Sequence, residues 1–243
     1  MTELLAGRVA IVTGANGGLG VALCGTLCDH GARVLPVDVV GSDCFLADVG
    51  TSDGNRSMVD EAIERFGRLD ILALNAGAQF MSPIPEFPEP QWDHLMSVMA
   101  KGPYLAIKHA WPHIARPGGR VVITASSSSF TAEPYKTAYT AAKHAVVGLV
   151  RTAAVEGGPL GMTANAVAPA WMRTPMVENQ LADQIRLHGR SRDEVLADLL
   201  ARMPVKRFVE PREVAETVAF LASEAASAIN GATVPVDLGM LAS

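Results

Sequence analysis

Tyr139 and Lys143 lie in the stretch Ala138-Tyr-Thr-Ala-Ala-Lys-His-Ala-Val-Val-Gly-Leu-Val-Arg151, which reads as a helix. Residues four apart on a helix share a face, so the phenol and the ammonium should point the same way. A free tyrosine has a pKa near ~10 and is a poor base at neutral pH. A neighbouring positive charge favours the phenolate and is expected to lower that value. The pair could therefore move a proton on or off an alcohol oxygen. Ser126, the first of the run Ser126 to Ser129, could hydrogen-bond the same oxygen from the end of a strand. A tyrosine and lysine at this spacing are a weak signal alone. They gain force only beside a hydride acceptor.

The upstream sequence supplies elements that could hold one. Arg8-Val-Ala-Ile-Val-Thr13 has the continuous apolar character of a buried parallel strand. It runs into Gly14-Ala-Asn-Gly-Gly-Leu-Gly20 and then an apolar helix pattern closed by Gly31. A strand, a glycine turn and a helix start let backbone N–H groups and the helix dipole meet a pyrophosphate. The next strand, Ala32-Arg-Val-Leu-Pro-Val-Asp38, ends in an acid. A carboxylate there accepts hydrogen bonds from adenosine ribose hydroxyls and repels a 2′-phosphate, which favours NAD over NADP. A further strand, Cys44-Phe-Leu-Ala-Asp48-Val49, follows almost at once. A parallel crossover usually takes a dozen or more residues with a helix. The helix is therefore expected to be missing here, leaving one side of the adenine pocket more open.

The alternation continues with a helix from Asn55 to Phe66, a strand Leu69-Asp-Ile-Leu-Ala-Leu74 ending in Asn75-Ala-Gly77, and a long helix from Trp92 to His113 broken at Pro112. Gly119 to Ser126 is the next strand, which puts Ser126 at a carboxyl end, where open α/β sheets bind ligands. Thr163 to Ala168 follows the Tyr139 helix, then Pro169-Ala-Trp-Met-Arg-Thr174-Pro. Residues 176–204 interrupt the pattern with helical sequence. Ser191-Arg-Asp-Glu194 there reads as a capping box before the apolar face of Val195, Leu196, Leu199 and Leu200. An insertion over the carboxyl edge of a sheet suggests a substrate lid. Pro211 opens one more helix, and Thr233 to Asp237 closes the sheet. The expected fold is a single Rossmann-like, doubly wound α/β domain spanning residues 1–243.

Composition excludes other classes. Of 243 residues, 49% are hydrophobic and 19% charged, which argues against disorder. A net charge of −5 without a Lys/Arg cluster makes nucleic acid or an anionic membrane surface an unsuitable partner. No apolar run reaches the ~18 residues of a membrane helix. The N-terminus lacks the pattern of a signal peptide, so a cytoplasmic location is expected. Cys24, Cys28 and Cys44 are too few and odd in number for a disulfide framework; Cys24 and Cys28 read as small core residues. His109 and His113 lack further metal ligands and read as solvent or packing residues, so no metal is expected.

Taken together, Thr13-Gly-x3-Gly18-x-Gly20, Asn75-Ala-Gly77, Ser126, Tyr139-x3-Lys143 and Pro169-Ala-x3-Thr174 strongly resemble the short-chain dehydrogenase/reductase family, over nearly the whole chain. The resemblance implies that Tyr139 is the acid/base, that Lys143 binds the nicotinamide ribose, that Ser126 orients the substrate oxygen and that Thr174 touches the carboxamide. It implies a cofactor surface made by Gly14, Asn16, Gly17, Gly18, Leu19 and Gly20, by Asp38, Asp48 and Val49, by Asn75, Ala76 and Gly77, and by Pro169 and Met172 beside Thr174. A homotetramer is also implied.

Outside these motifs the chain is similar to the D-3-hydroxybutyrate dehydrogenases of that family, in 142–149, in 163–177 and in 218–226. This likeness implies a substrate carboxylate held by Gln79, Lys136 and Gln180, with Trp171 beside them. A cation at Lys136, close to the catalytic oxygen, suits an acid substrate. A small 3-hydroxy acid is the first expectation, and a bulkier cyclic or aryl alcohol the alternative. The departures are Met99 where the family usually has an asparagine, Ser128 where those enzymes have a histidine, Met240 in place of an aromatic residue and Ala170 in place of a glycine. A thioether cannot hold a relay water as an amide does. Met99 therefore keeps open a third reading, a nucleotide-binding sensor or assembly subunit with little catalysis.

Overall fold

The computed structural model describes residues 3–242. Seven parallel strands form one sheet in the order β3-β2-β1-β4-β5-β6-β7. They are β1 (Val9–Thr13), β2 (Arg33–Asp38), β3 (Phe45–Leu46), β4 (Ile71–Leu74), β5 (Arg120–Thr124), β6 (Thr163–Pro169) and β7 (Thr233–Val236). The chain reverses direction of travel across the sheet at β1, which pairs with β2 on one side and β4 on the other. Ligands bind beyond the carboxyl ends of strands at such a point.

Side chains alternate across the sheet, as a period of two requires. Val9 and Ile11 face a layer made by α2 (Ser52–Phe66), α4 (Gly102–Ile114) and α5 (Thr137–Gly157). Ala10 and Val12 face α1 (Gly18–Asp29) and α8 (Pro211–Ala222). Both faces are covered, which is why the strand sequences are apolar throughout rather than alternating.

Between α5 and α8, α6 (Pro175–His188) and α7 (Arg192–Ala201) build their own small core. Val177, Leu181, Val195 and Leu199 pack there on Trp171, Phe208 and Met240. The expected capping box forms, with the Ser191 hydroxyl accepting from Glu194 N and the Glu194 carboxylate accepting from Ser191 N. Pro211 occupies the first turn of α8, where its missing N–H costs nothing.

Three expectations need correction. The third strand is only Phe45–Leu46, because the chain turns at Asp48, whose carboxylate accepts from Gly50 N (2.8 Å). The link from β2 to β3 does lack a helix, and Val39 and Val40 there are 60% and 62% exposed. The long helix does not break at Pro112. It runs as α3 (Glu89–Met96), a π-helical turn (Ser97–Lys101) and α4, with Pro112 inside α4 on its exposed side. Solvent can satisfy the carbonyl that Pro112 leaves unpaired, and α4 ends two residues later. The distortion comes earlier instead. Gly102 N bonds Ser97 O five residues back, next to Pro103, whose ring would crowd a regular turn. Cys28, finally, is exposed rather than core, while Cys24 is partly buried and its thiol is pushed up to about 12 by burial.

Candidate active site

One cavity of about 580 Å³ lies across the carboxyl ends of the strands. Its floor is held by side chains that bond the backbone. Thr13 Oγ1 accepts from Asn75 N (3.0 Å) and Ala76 N (3.2 Å). The Asn75 amide donates to Thr13 O (3.1 Å) and Gly14 O (3.2 Å) and accepts from Thr124 Oγ1 (3.3 Å). Asn75 thus laces the ends of β1, β4 and β5 together. The roles of Thr13 and Thr124 in this lacing carry no signal in their sequence spacing.

At one end of the cavity α1 begins with Gly17 as its N-cap, which makes no side-chain capping bond, and its first turn holds no acid. Among the described residues the N–H groups of this turn have no side-chain acceptor, and Gly17, Gly18 and Leu19 line the cavity. That is the donor set a pyrophosphate needs. Gly14 has φ 66°, and a Cβ on it would sit 2.8 Å from Ala76 Cα. Gly20 is different: it is outside the cavity lining, and a Cβ there would overlap Gly14 O and lie 2.7 Å from Ala15 Cα. Its smallness lets the helix pack on the turn. Asp38 lines the cavity at the end of β2, where its carboxylate accepts from Asn16 N (3.0 Å) and Val39 N (2.7 Å). Asp48, Val49, Ala76, Gly77, Pro169, Met172 and Thr174 line it as well, and the Asn55 amide holds Val49 O (2.7 Å).

At the other end, Ser126, Tyr139 and Lys143 come together on the cavity wall. Ser126 caps a short 3-10 turn, Ser127–Ser129, its hydroxyl accepting from Ser128 N (3.1 Å). Ser129 Oγ donates to Lys143 O (2.7 Å), which seats this turn on α5. The buried Lys143 ammonium donates to Thr124 O (2.6 Å) and lies 5.6 Å from the centre of the Tyr139 ring. Burial pushes Lys143 down to about 8. Burial also holds the Tyr139 phenol above its ordinary value, opposed by its hydrogen bond with Ser126, and the Glu133 charge adds to the rise. The expected lowering by Lys143 is therefore not what the chain alone produces. One of the ammonium's three donors goes to the Thr124 carbonyl, and the charged form is itself disfavoured by burial.

Lys136, Trp171 and Gln180 form the adjoining wall. Gln79 lies outside the cavity lining, and both polar atoms of its amide are buried without a partner among the described residues. Glu133, which the sequence reading did not single out, lines the cavity with its Oε2 2.6 Å from Lys136 Nζ. Its position three residues before Lys136 was the available signal. Met99 is fully buried with Leu95, Ala138 and Ala142 in a cluster on which Tyr139 packs. His109 bonds Ser52 Oγ (2.9 Å). Among the described residues, no cluster of His, Cys, Asp or Glu could hold a metal, and no helix is long and apolar enough to cross a membrane.

A parallel sheet has its cavity at the switch point, with a bare helix start at one end and a serine, a tyrosine and a lysine at the other. Comparison with known proteins names the class. A short-chain dehydrogenase model described as enoyl-(acyl carrier protein) reductase matches residues 14–241, and the chain belongs to the short-chain dehydrogenase/reductase family. The chain is 34% identical to the D-beta-hydroxybutyrate dehydrogenase of Rhizobium meliloti (strain 1021), with 97% of this chain and 99% of the relative covered. It is 36% identical to the cis-4-hydroxycyclohexanecarboxylate dehydrogenase of Sinomonas cyclohexanicum, with 100% of each covered. Among solved structures, levodione reductase superposes with a TM-score of 0.92 at 33% identity, over 98% of this chain and 99% of that one. Members of this family typically bind a nicotinamide cofactor.

Proposed function

We propose that the protein is an NAD-dependent oxidoreductase that interconverts a secondary alcohol and its ketone. The observation that carries this reading is the meeting of Ser126, Tyr139 and Lys143 in the cavity that the uncapped start of α1 also faces. The first turn of α1 would hold the pyrophosphate, and Asp38 would take the adenosine ribose, which favours NAD. Lys143 would hold the nicotinamide ribose, and Pro169, Met172 and Thr174, which line the same cavity, would form the surface for the ring. Bound there, the nicotinamide supplies the hydride acceptor or donor and, when oxidised, a positive charge that lowers a neighbouring phenol. Tyr139 takes the hydroxyl proton in oxidation and returns it in reduction. Ser126, hydrogen-bonded to the phenol, holds the substrate oxygen beside it. The two helices α6 and α7 act as the lid over this centre. The reading includes a homotetramer in the cytoplasm.

Two substrate readings follow from the same wall. A small 3-hydroxy acid is supported by Lys136 and Gln180 lining the cavity, and by two relatives whose names specify hydroxy acids. A bulkier uncharged cyclic alcohol is favoured by one observation, the Glu133 carboxylate against Lys136. The test of the reaction class is Tyr139→Phe. Coenzyme binding, followed by the quenching of protein fluorescence, should persist, while NADH-linked turnover falls by about a thousandfold or more, the order that general acid/base groups supply. Undiminished turnover in that variant overturns the proposal.

A further inference from the structure

The charge of the wall adjoining Tyr139 is built from a pair rather than from a lone cation. Lys136 is 4% exposed. Its ammonium has three N–H donors. Glu133 Oε2 lies 2.6 Å away, Gln180 Oε1 accepts at 3.0 Å, and the Trp171 ring covers it at 4.1 Å from the ring centre. A carboxylate, an amide oxygen and an aromatic face thus compensate the ammonium on several sides. Glu133 is itself held in place, since Arg202 Nη1 donates to its other oxygen at 2.8 Å. Arg202 lies outside the cavity lining and is 41% exposed, so solvent screens its charge. Between Glu133 and Lys136, Tyr135 takes left-handed backbone with φ 67°, which is strained for an aromatic residue. The fold maintains this turn despite that strain.

We propose, building on the oxidoreductase reading, that Glu133 is a specificity-determining residue that reserves the Lys136 end of the pocket for an uncharged substrate group. A substrate carboxylate approaching Lys136 meets a cation already neutralised and a second carboxylate a few ångströms away. Both effects act in a largely buried site, where charge is screened far less than in water. A neutral group fits the donor–acceptor pair: a hydroxyl on a ring can both donate and accept, and a carbonyl or an ester can accept from the ammonium without adding charge.

The experiment uses two matched pairs, 3-hydroxybutyrate with its methyl ester and 4-hydroxycyclohexanecarboxylate with its methyl ester. Both are assayed by NADH formation in the wild type, in Glu133→Gln, and in Glu133→Gln combined with Lys136→Met. The wild type should have the higher kcat/KM for the ester of each pair. Glu133→Gln frees the ammonium, and the acid-to-ester ratio should rise by about tenfold or more, the scale of a charge repulsion at this distance. The added Lys136→Met should remove that gain. A wild type that prefers the acids overturns the proposal without any variant, and so does an unchanged ratio in a folded Glu133→Gln protein. Titration calorimetry of the same compounds into the enzyme with NADH reads the preference as binding. If none is turned over although coenzyme binds, the oxidoreductase reading fails, and the calorimetric order of ester and acid still decides the role of Glu133.

Discussion

Lys143→Met should give a protein that is more stable than the wild type at neutral pH and inactive. Lys143 is buried, and its ammonium falls from the ordinary 10.5 to about 8 because burial disfavours the charged form. At 1.36 kcal/mol per tenfold, that fall corresponds to about 3 kcal/mol of destabilisation. The folded value lies below the unfolded one, so the unfolded chain binds the proton more tightly. The penalty is therefore complete below about pH 8 and gone above 10.5. Methionine keeps the linear side chain and removes the charge, but it also removes the bond to Thr124 O, worth about 1.5 kcal/mol for a charged donor. The balance at pH 7 is a gain of about 1.5 kcal/mol. Near pH 10.5 only the lost bond remains, and the variant should be the less stable of the two. Urea unfolding of both proteins without coenzyme, at pH 7 and pH 10.5, measures the two differences. A variant no more stable than wild type at pH 7, or a difference that does not change with pH, refutes the desolvation argument.

Asp38→Ala should lower kcat/KM for NAD by about tenfold and raise the relative use of NADP by at least as much, about 1.4 kcal/mol each. Steady-state kinetics with both coenzymes reads this, and a wild type that prefers NADP contradicts the assignment. Met99→Asn buries an amide beside Leu95, Ala138 and Ala142, which costs about 2 kcal/mol or more. For a chain of this size that lowers the midpoint of thermal unfolding by about 4–8 °C. An unchanged midpoint would mean that the pocket around residue 99 already admits water. A large gain in turnover from a negligible baseline would favour the weakly catalytic, nucleotide-binding reading instead.

The strands were legible because a parallel sheet covered on both faces leaves apolar runs such as Val9 to Val12 and Val121 to Ile123. The glycine turn was equally plain, yet its glycines do unlike jobs. Gly18 faces the cavity, and Gly20 relieves a clash between helix and turn. Residue type alone does not separate a ligand contact from close packing. The spacing of Tyr139 and Lys143 correctly put them on one helix, but it shows neither the burial that raises the phenol nor the partner of the lysine's hydrogen bond. That partner, the Thr124 carbonyl, comes from another strand. Glu133 escaped notice because its pairing with Lys136 arises in an irregular turn through Tyr135, for which no periodicity exists. The π-helical turn at Ser97–Lys101 was hidden for a related reason: Gly102-Pro103 reads as a break, while the structure absorbs it as one widened turn.

The lacing of Thr13, Asn75 and Thr124 bears on how such a scaffold could change its chemistry. One amide clamps the open fork of the sheet at three strands, so the gap between them is fixed by the chain's own hydrogen bonds rather than by whatever enters it. A scaffold gripped at its base can exchange its rim freely. New preferences then arise through short replacements around Glu133 and along α6 and α7, while the floor beneath the cavity stays the same.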